Sequence, residues 1–558
     1  RISKFLCSAL SKYSTFRGIE SIYNTLTGAV NSTPEEVKAL ATERISTTFY
    51  KQRIPEPAYV RFKNDDAAWL LMPAWYRKAF KRIKTDYINP DLVNSMRPVT
   101  LEELRGALER LGRNKSGGPS QLTAEMLIYA SPAAQATYIL PFLNACIINK
   151  NTPMFTKLFN VWCIEKTQGV GPIMHPTNKL DVRPISLFEV SFKLMETVLA
   201  TRINDAMAPK LHPAQHAFNA LRSVVDAIIT YTLIMEDVKQ SKKEIHISNN
   251  DCTQAYDAVP PWAMYAVYRF HGFPPDLIQM LINMDDNMRG RVLTAHGIGE
   301  EWTKTCGLGQ GSVLAPLKWN LFLDPLLHLM DDTADPYIMG YGLSAVHIRI
   351  LAFADDTTIF ASTHNGYLER MALAGKYFGI FGVNFSPTKT HYTYANTRGR
   401  HYTSAPITVR KPDGTTSVQA SAVTSPHKPL RYLGAWLSPT LNWLPAKRKL
   451  RDEVTKLLTI LRHKTMSSEE YKYTVRSVLH AKLRYYLAVV PLLDSELDDI
   501  DSRIAQIMKK RMHMASSCSS PLIFLPDSEY GAELPSIKDI RSTVNIEMAH
   551  SLLYPVIH

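Results

Sequence analysis

Apolar and polar positions change period several times along this chain, and each change predicts a different element. As far as residue 161 the spacing is mostly helical. Ser32-Thr33-Pro34-Glu35-Glu36 supplies an N-cap, a first-turn proline and two acids, and Thr100-Leu101-Glu102-Glu103 opens another helix running to about Leu111. Gly117, Gly118 and Pro119 break the pattern, and helices are predicted again over 123–130, 141–149 and 156–161. From Lys166 to Leu187 the composition turns to Gly, Pro, Lys and Arg, which predicts a basic hairpin ending in Val182-Arg183-Pro184-Ile185-Ser186-Leu187. Two helices, 190–204 and 222–238, flank His212-Pro213-Ala214-Gln215-His216-Ala217-Phe218.

The period then drops to two. Ile245 and Ile247 mark a strand that ends at Asp251, with Tyr256 and Asp257 following where a helix is broken by Pro260-Pro261. Residues 348–361, IRILAFADDTTIFA, read as a β-hairpin with Asp355 and Asp356 at its tip. Between these strands, Gly307, Gly309 and Gly311 precede an apolar helix over 317–330, and a helix over 365–381 follows the hairpin. A second hairpin is predicted over 406–420, turning at Pro412-Asp413-Gly414. Helical spacing returns over 444–463, 467–490 and 494–512, the first of these strongly basic, and a proline-containing tail ends in one short helix.

Two carboxylates a few ångströms apart repel by about 4 kcal/mol at an effective dielectric near 20. The Asp355-Asp356 pair therefore points to a divalent cation, Mg²⁺ first, and Asp251 at its strand end would supply a third ligand, with the Cys252 carbonyl beside it. The plain alternative is an Asp-Asp pair that only caps a solvated turn.

Composition adds bounds rather than identity. The 558 residues are enough for three or four domains, and 45% are hydrophobic. A formal charge of +13, from 64 Lys+Arg against 51 Asp+Glu, favours an acidic partner such as nucleic acid. The six cysteines form no CxxC or Cys/His cluster, so neither a zinc site nor a disulfide framework is indicated. They read as reduced thiols of an intracellular protein, in nucleus or cytoplasm, with a mitochondrial address left open by the acid-free residues 1–19. No apolar run reaches the length of a membrane span, and no membrane partner is expected. The chain starts at Arg1, which leaves an upstream segment open.

Taken together, Arg183-Pro184-Ile185-Ser186, Asp251-Cys252-Thr253-Gln254-Ala255-Tyr256-Asp257, the stretch 307–316, Phe353-Ala354-Asp355-Asp356 and Tyr432-Leu433-Gly434 resemble, in order, the motifs of a reverse transcriptase of the non-LTR (LINE-type) retroelement class, related to group II intron enzymes. The resemblance covers roughly 97–540 and implies an α+β, right-hand polymerase with an N-terminal helical extension. Its divisions would be the extension, 1–96; fingers, 97–250; palm, 251–438; helical thumb, 439–514; and a tail, 515–558.

The resemblance also implies roles. Asp251, Asp355, Asp356 and the Cys252 carbonyl would hold two Mg²⁺ ions, with Mn²⁺ as a substitute, and Lys389 would protonate the leaving pyrophosphate. Lys166 and Arg183 would hold the triphosphate. Tyr256 would be the steric gate, Gln310 and Gly311 would line the nucleotide pocket, and Leu433-Gly434 would form the primer grip. The partners would be an RNA template, a DNA or RNA primer and dNTPs, and the activity RNA-directed DNA polymerisation. The competing expectation is a domesticated RNA-binding scaffold that keeps the fold without the activity. One departure from the family is at Ser120 and Gln121, which stand where an Asp and a Gly would close a Lys-x-Pro-Gly-Pro-Asp-Gly loop.

Overall fold

Among the described residues, the N-terminal helix packs into the main core rather than forming a separate layer. In the computed structural model, which describes residues 19, 22–23, 30–31, 33–51, 73–81, 87–165, 182–219, 222–410 and 415–553, helix α1 (Pro34–Phe49) buries Val37, Ala41, Ile45 and Phe49. That four-residue repeat lines one helical face. The buried face and the following Tyr50 join the same apolar core as the centre of the chain.

Two sheets organise that core. One contains β1 (Leu158–Glu165), paired antiparallel with β2 (Val182–Phe188). Helix α2 (Val190–Met207) follows, then α3 (Val224–Ser241). The second sheet begins with β3 (Ile245–Asn250), and a short strand, β4 (Cys252–Thr253), continues beyond it. Strand β5 (Arg289–Thr294) returns to the first sheet and runs parallel to β1.

A strand was not the expectation for the start of β1, where helical spacing was read over 156–161. A short apolar run fits a fully buried strand as well as a helix, and the neighbours on both sides of β1 decide it. Of the basic hairpin expected over 166–187, residues 182–187 lie in β2, which pairs with β1, and 166–181 lie outside the described residues, as does the turn expected at 412–414 between the paired strands Pro406–Arg410 and Thr416–Ala420.

Next comes the long buried helix α4 (Ala315–Asp331), then the hairpin β6 (Ile350–Phe353) and β7 (Asp356–Ala361). They are followed by α5 (His364–Phe381), β8 (Asn384–Phe385), β9 (His391–Ala395) and β10 (Ala422–Val423). The second sheet has the order β6-β7-β3-β9-β10. Strand β3 thus belongs to the middle of the sheet that carries the acids, and a division at residue 250 would cut that sheet from its central strand.

A tight hairpin, β11 (Leu430–Tyr432) with β12 (Ala435–Leu437), leads into a helical bundle. Its helices include α6 (Leu444–His463), α7 (Ala481–Val489) and α8 (Asp494–Arg511). The last helix, α9 (Ile537–Leu553), is 17 residues long rather than short. It buries Ile537, Ile540 and Val544 in the bundle core, so the segment set apart as a tail is part of that core. The Ile537 amide is bound by the Asp501 carboxylate at 2.9 Å, which fixes where the helix starts.

Candidate active site

Strand register brings the acids together. Strand β3 pairs antiparallel with β7 through Thr357↔Asn250, and one step further along the same pair stand Asp356 and Asp251. Opposed side chains of an antiparallel pair have Cβ atoms about 5 Å apart. Asp355 lies in the two-residue turn between Phe353 and Asp356, which are themselves partners. The other turn residue, Ala354, holds φ at 54°, the left-handed sign that tight hairpin turns require.

Burial and mutual repulsion raise the carboxyl pKa values of Asp355 and Asp356. Asp355 is pushed up by burial and then by the charge of Asp251, with a backbone hydrogen bond and Lys389 opposing. Asp356, whose residue surface is still exposed, is pushed up to about 6 by partial desolvation of its carboxyl, then by Asp355 and Asp251. The Cys252 thiol is buried beside all three acids and is pushed well above its ordinary range, by burial first. The Asp251 Oδ2 atom is shielded from solvent and takes no hydrogen bond. Its neighbour is the Lys389 ammonium, 3.1 Å away, an ion pair without hydrogen-bond alignment.

A shielded carboxylate oxygen without a hydrogen bond, next to two more carboxylates, is a donor set of hard oxygens that suits Mg²⁺ or Mn²⁺. Among the described residues, the three side chains whose ligand atoms lie within 4.8 Å of one another are His212, His328 and Asp331, not the three acids. His212 is satisfied without an ion: Nδ1 accepts the Ala214 amide at 3.1 Å, which leaves the proton on Nε2 for Asp331, 2.9 Å away.

Lys389 reaches Asp251 because β8 pairs with β4, Phe385 opposite Cys252. The Ser386 amide then donates to the Asp251 carbonyl at 2.8 Å, and a turn from Ser386 carries the exposed Lys389 back over the acids.

The glycine-rich loop stands against β2. The Ser186 amide donates to the Gln310 carbonyl at 2.6 Å, and a Cβ on Gly311 would lie 2.4 Å from the Ser186 carbonyl oxygen. With φ at 122° as well, that position admits only glycine. Gln310 Nε2 donates to Asp257 Oδ2 at 2.8 Å. Tyr256 stacks on the buried Trp319, with ring centroids 5.2 Å apart, and its carbonyl accepts the Leu308 amide at 2.8 Å. Arg183 is exposed on β2 between the buried Val182 and Pro184. Lys166 lies outside the described residues.

Leu433 and Gly434, with φ of 48° and 95°, form a two-residue turn of the primed kind between β11 and β12. The Tyr485 hydroxyl of α7 donates to the Leu433 carbonyl at 2.5 Å, so the turn is tied to the bundle. In α6, Lys447 pairs with Glu496 at 2.7 Å and Lys449 lies over the Trp436 ring, so part of that basic face is already partnered. Farther along, Arg462, Lys464, Arg503, Lys510 and Arg511 line a cavity of about 440 Å³.

The departure at Ser120 and Gln121 leaves the loop closed. Gln121 itself takes φ of 62°, its amide donates to the Gly118 carbonyl at 3.0 Å, and Ser120 binds the buried Glu189 through its amide at 2.7 Å.

Three supporting residues were not singled out from the sequence. Tyr50 binds Ser186 Oγ through its hydroxyl at 2.8 Å, and its carbonyl accepts the Thr305 and Cys306 amides. The buried Glu196 accepts the Ser312 hydroxyl and, at 2.9 Å, the Val313 amide. Gln215 binds the acid-bearing turn. The one available signal was a polar residue set among apolar ones, and it names no partner.

Residues 168–437 match the family model described as reverse transcriptase (RNA-dependent DNA polymerase). This stretch is similar to a reverse transcriptase domain. The chain is 21% identical over 460 residues, 82% of its length, to a Drosophila melanogaster protein named as the retrovirus-related Pol polyprotein from type-2 retrotransposable element R2DM. It is 25% identical over 274 residues, 48% of its length, to the probable RNA-directed DNA polymerase from transposon BS of the same species. A Nasonia vitripennis Pol polyprotein from a type-1 retrotransposable element R2 is 23% identical over 209 residues, 38% of the chain. The chain spans 41%, 28% and 20% of these three relatives. All three relatives are named as proteins of transposable elements.

Proposed function

We propose that this chain is the RNA-directed DNA polymerase of a non-LTR retroelement, copying RNA into cDNA by two-metal nucleotidyl transfer. The observation that carries the reading is the register that sets Asp251 beside Asp356, with Asp355 in the adjoining turn and a shielded Asp251 oxygen without a hydrogen bond. A scaffold has no use for that repulsion.

In this reading Asp251, Asp355 and the Cys252 carbonyl hold the cations, with Asp356 beside them. Two Mg²⁺ ions, or Mn²⁺ in their stead, supply charge that makes a primer 3′-hydroxyl easier to deprotonate and offsets the charge of the departing pyrophosphate. Lys389, already at Asp251, gives the pyrophosphate a proton. Arg183 grips the triphosphate through two donors at once and Lys166 adds a point charge. The Tyr256 ring, held against Trp319, fills the space that a ribose 2′-hydroxyl needs. Gln310 and Gly311 line the pocket, and the Leu433-Gly434 turn seats the primer end.

The finer architecture follows the same reading. The sheet β6-β7-β3-β9-β10 is the palm, β1 and β2 belong to the fingers with β5 of the palm stretch paired alongside β1, and the bundle is the thumb. The partners are an RNA template, a DNA or RNA primer and dNTPs. No helix among the described residues is long and apolar enough to cross a membrane. Among them Cys146, Cys163, Cys252, Cys306 and Cys518 are free thiols, which suits a reducing compartment such as nucleus or cytoplasm.

The test is primer extension on an RNA template with dNTPs. Extension with Mg²⁺ and its loss on chelation are the expected result. RNA binding without extension in either Mg²⁺ or Mn²⁺ would instead favour the domesticated scaffold.

A further inference from the structure

We propose that Gln215 is the positioning residue of the acidic turn, its carboxamide holding Ala354 in the left-handed conformation that presents Asp355 and Asp356. The inference rests on the polymerase reading above for its effect on rate, but not for its structural content.

Ala354 is an unusual occupant of its place. Tight hairpin turns fill left-handed positions with Gly, Asn or Asp, because a Cβ there crowds the following carbonyl. At φ of 54° Ala354 has no side chain with which to stabilise itself. Gln215 provides the stabilisation from outside. Its Oε1 accepts the Ala354 amide at 3.0 Å, and its Nε2 donates to the Ala354 carbonyl at 3.4 Å. One carboxamide thus meets both backbone groups of the strained residue.

The carboxamide is itself fixed. Gln215 is 3% exposed, and its Oε1 also accepts the Ala217 amide at 3.0 Å. On either side the backbone is stitched to β6: Ala352 N donates to the Ala214 carbonyl at 2.8 Å, and His216 N donates to the Ala352 carbonyl at 2.9 Å. Asn320 of α4 anchors the segment by donating to the Ala217 carbonyl at 2.8 Å. The stretch 212–218 is therefore a template laid along β6, and Gln215 is the residue by which it sets the turn. Burial keeps Gln215 away from nucleotide and primer, so its contribution passes through Ala354.

The test uses the full chain carrying Gln215→Met, which keeps the length and removes both hydrogen bonds, and the double variant Gln215→Met with Ala354→Gly. Peptides covering 350–356 are followed by hydrogen exchange, and single-nucleotide incorporation is measured as kcat and KM. Gln215→Met should exchange faster at the turn and lose about 10- to 100-fold in kcat, with the dNTP KM within about twofold of wild type. Glycine takes a positive φ unaided, so the double variant should regain at least about tenfold of that loss. Should Gln215→Met fold poorly, Gln215→Leu, which also removes both hydrogen bonds to Ala354 and adds no charge beside the acids, carries the same comparison. Unchanged turn exchange and kcat in the single variant, or a slow single variant that Ala354→Gly does not improve, would overturn the inference. A wild type that fails to extend primers while Gln215→Met still loosens the turn would instead overturn the polymerase reading and leave the positioning role standing.

Discussion

The helical bundle and the acidic turn are built on opposite terms. Along α6 the levels agree: its apolar stripe (Leu450, Val454, Leu458, Leu461) is buried, and Glu453 and Lys447 find opposite partners in Lys482 at 2.8 Å and Glu496 at 2.7 Å. At the turn the levels conflict. Three like charges share one end of a sheet, an alanine stands in the left-handed region, and a carboxylate oxygen is shielded without a hydrogen bond. Such local conflict survives only where surrounding structure imposes it, and it marks the place where chemistry is to be sought.

The contrast can be broken most sharply at the acids. Asp251→Ala or Asp355→Ala should cut primer extension at least about a thousandfold while the protein stays folded, since what is removed is cation-binding charge rather than packing. Extension assays beside thermal melts check both halves. Leu483→Ala, at a fully buried bundle position, should do the reverse. It should cost about 2–5 kcal/mol in urea denaturation through the cavity it leaves.

Smaller effects sharpen the picture. Tyr256→Ala should reduce discrimination against ribonucleotides by about tenfold or more, read from paired rNTP and dNTP incorporation rates. Asp356 tests the price of the acid cluster. Its carboxyl is raised from the ordinary 3.8 to about 6 in the folded chain, so the folded state prefers the protonated form. Stability from this group is present below pH 4 and is lost as pH rises through about 6. Asp356→Asn should therefore melt higher than wild type above pH 6, by about 1 kcal/mol once solvent screening is allowed for, and lose the advantage below pH 4. Added Mg²⁺ should narrow the gap. Least of all, Lys482→Ala should shift bundle stability by under about 0.5 kcal/mol, because its ion pair with Glu453 is solvent-exposed.

Legibility follows the same divide. The basic helix predicted over 444–463 coincides with α6, and the hairpin with acids at its tip is β6-β7, because each is specified by neighbours in sequence. Over 156–161 the spacing predicts a helix where β1 begins, because an apolar run fits either structure and only pairing with β2 and β5 settles it. The C-terminal helix was underestimated for a related reason: its partner Asp501 belongs to a different helix, and no local signal announces that contact.

By itself the sequence determined which chemistry is present: the carboxylates, the glycines that allow close backbone approach, the stacking aromatics and the periodicity of most elements. Only the tertiary structure decided their arrangement. Asp251 meets Asp356 through strand register, Lys389 comes to Asp251 through the β4-β8 pair, and Gln215 finds Ala354 across a segment far away in the chain. Composition and period report what each residue prefers locally, whereas hydrogen-bond register between distant strands is fixed by burial of the whole core, which no single stretch encodes.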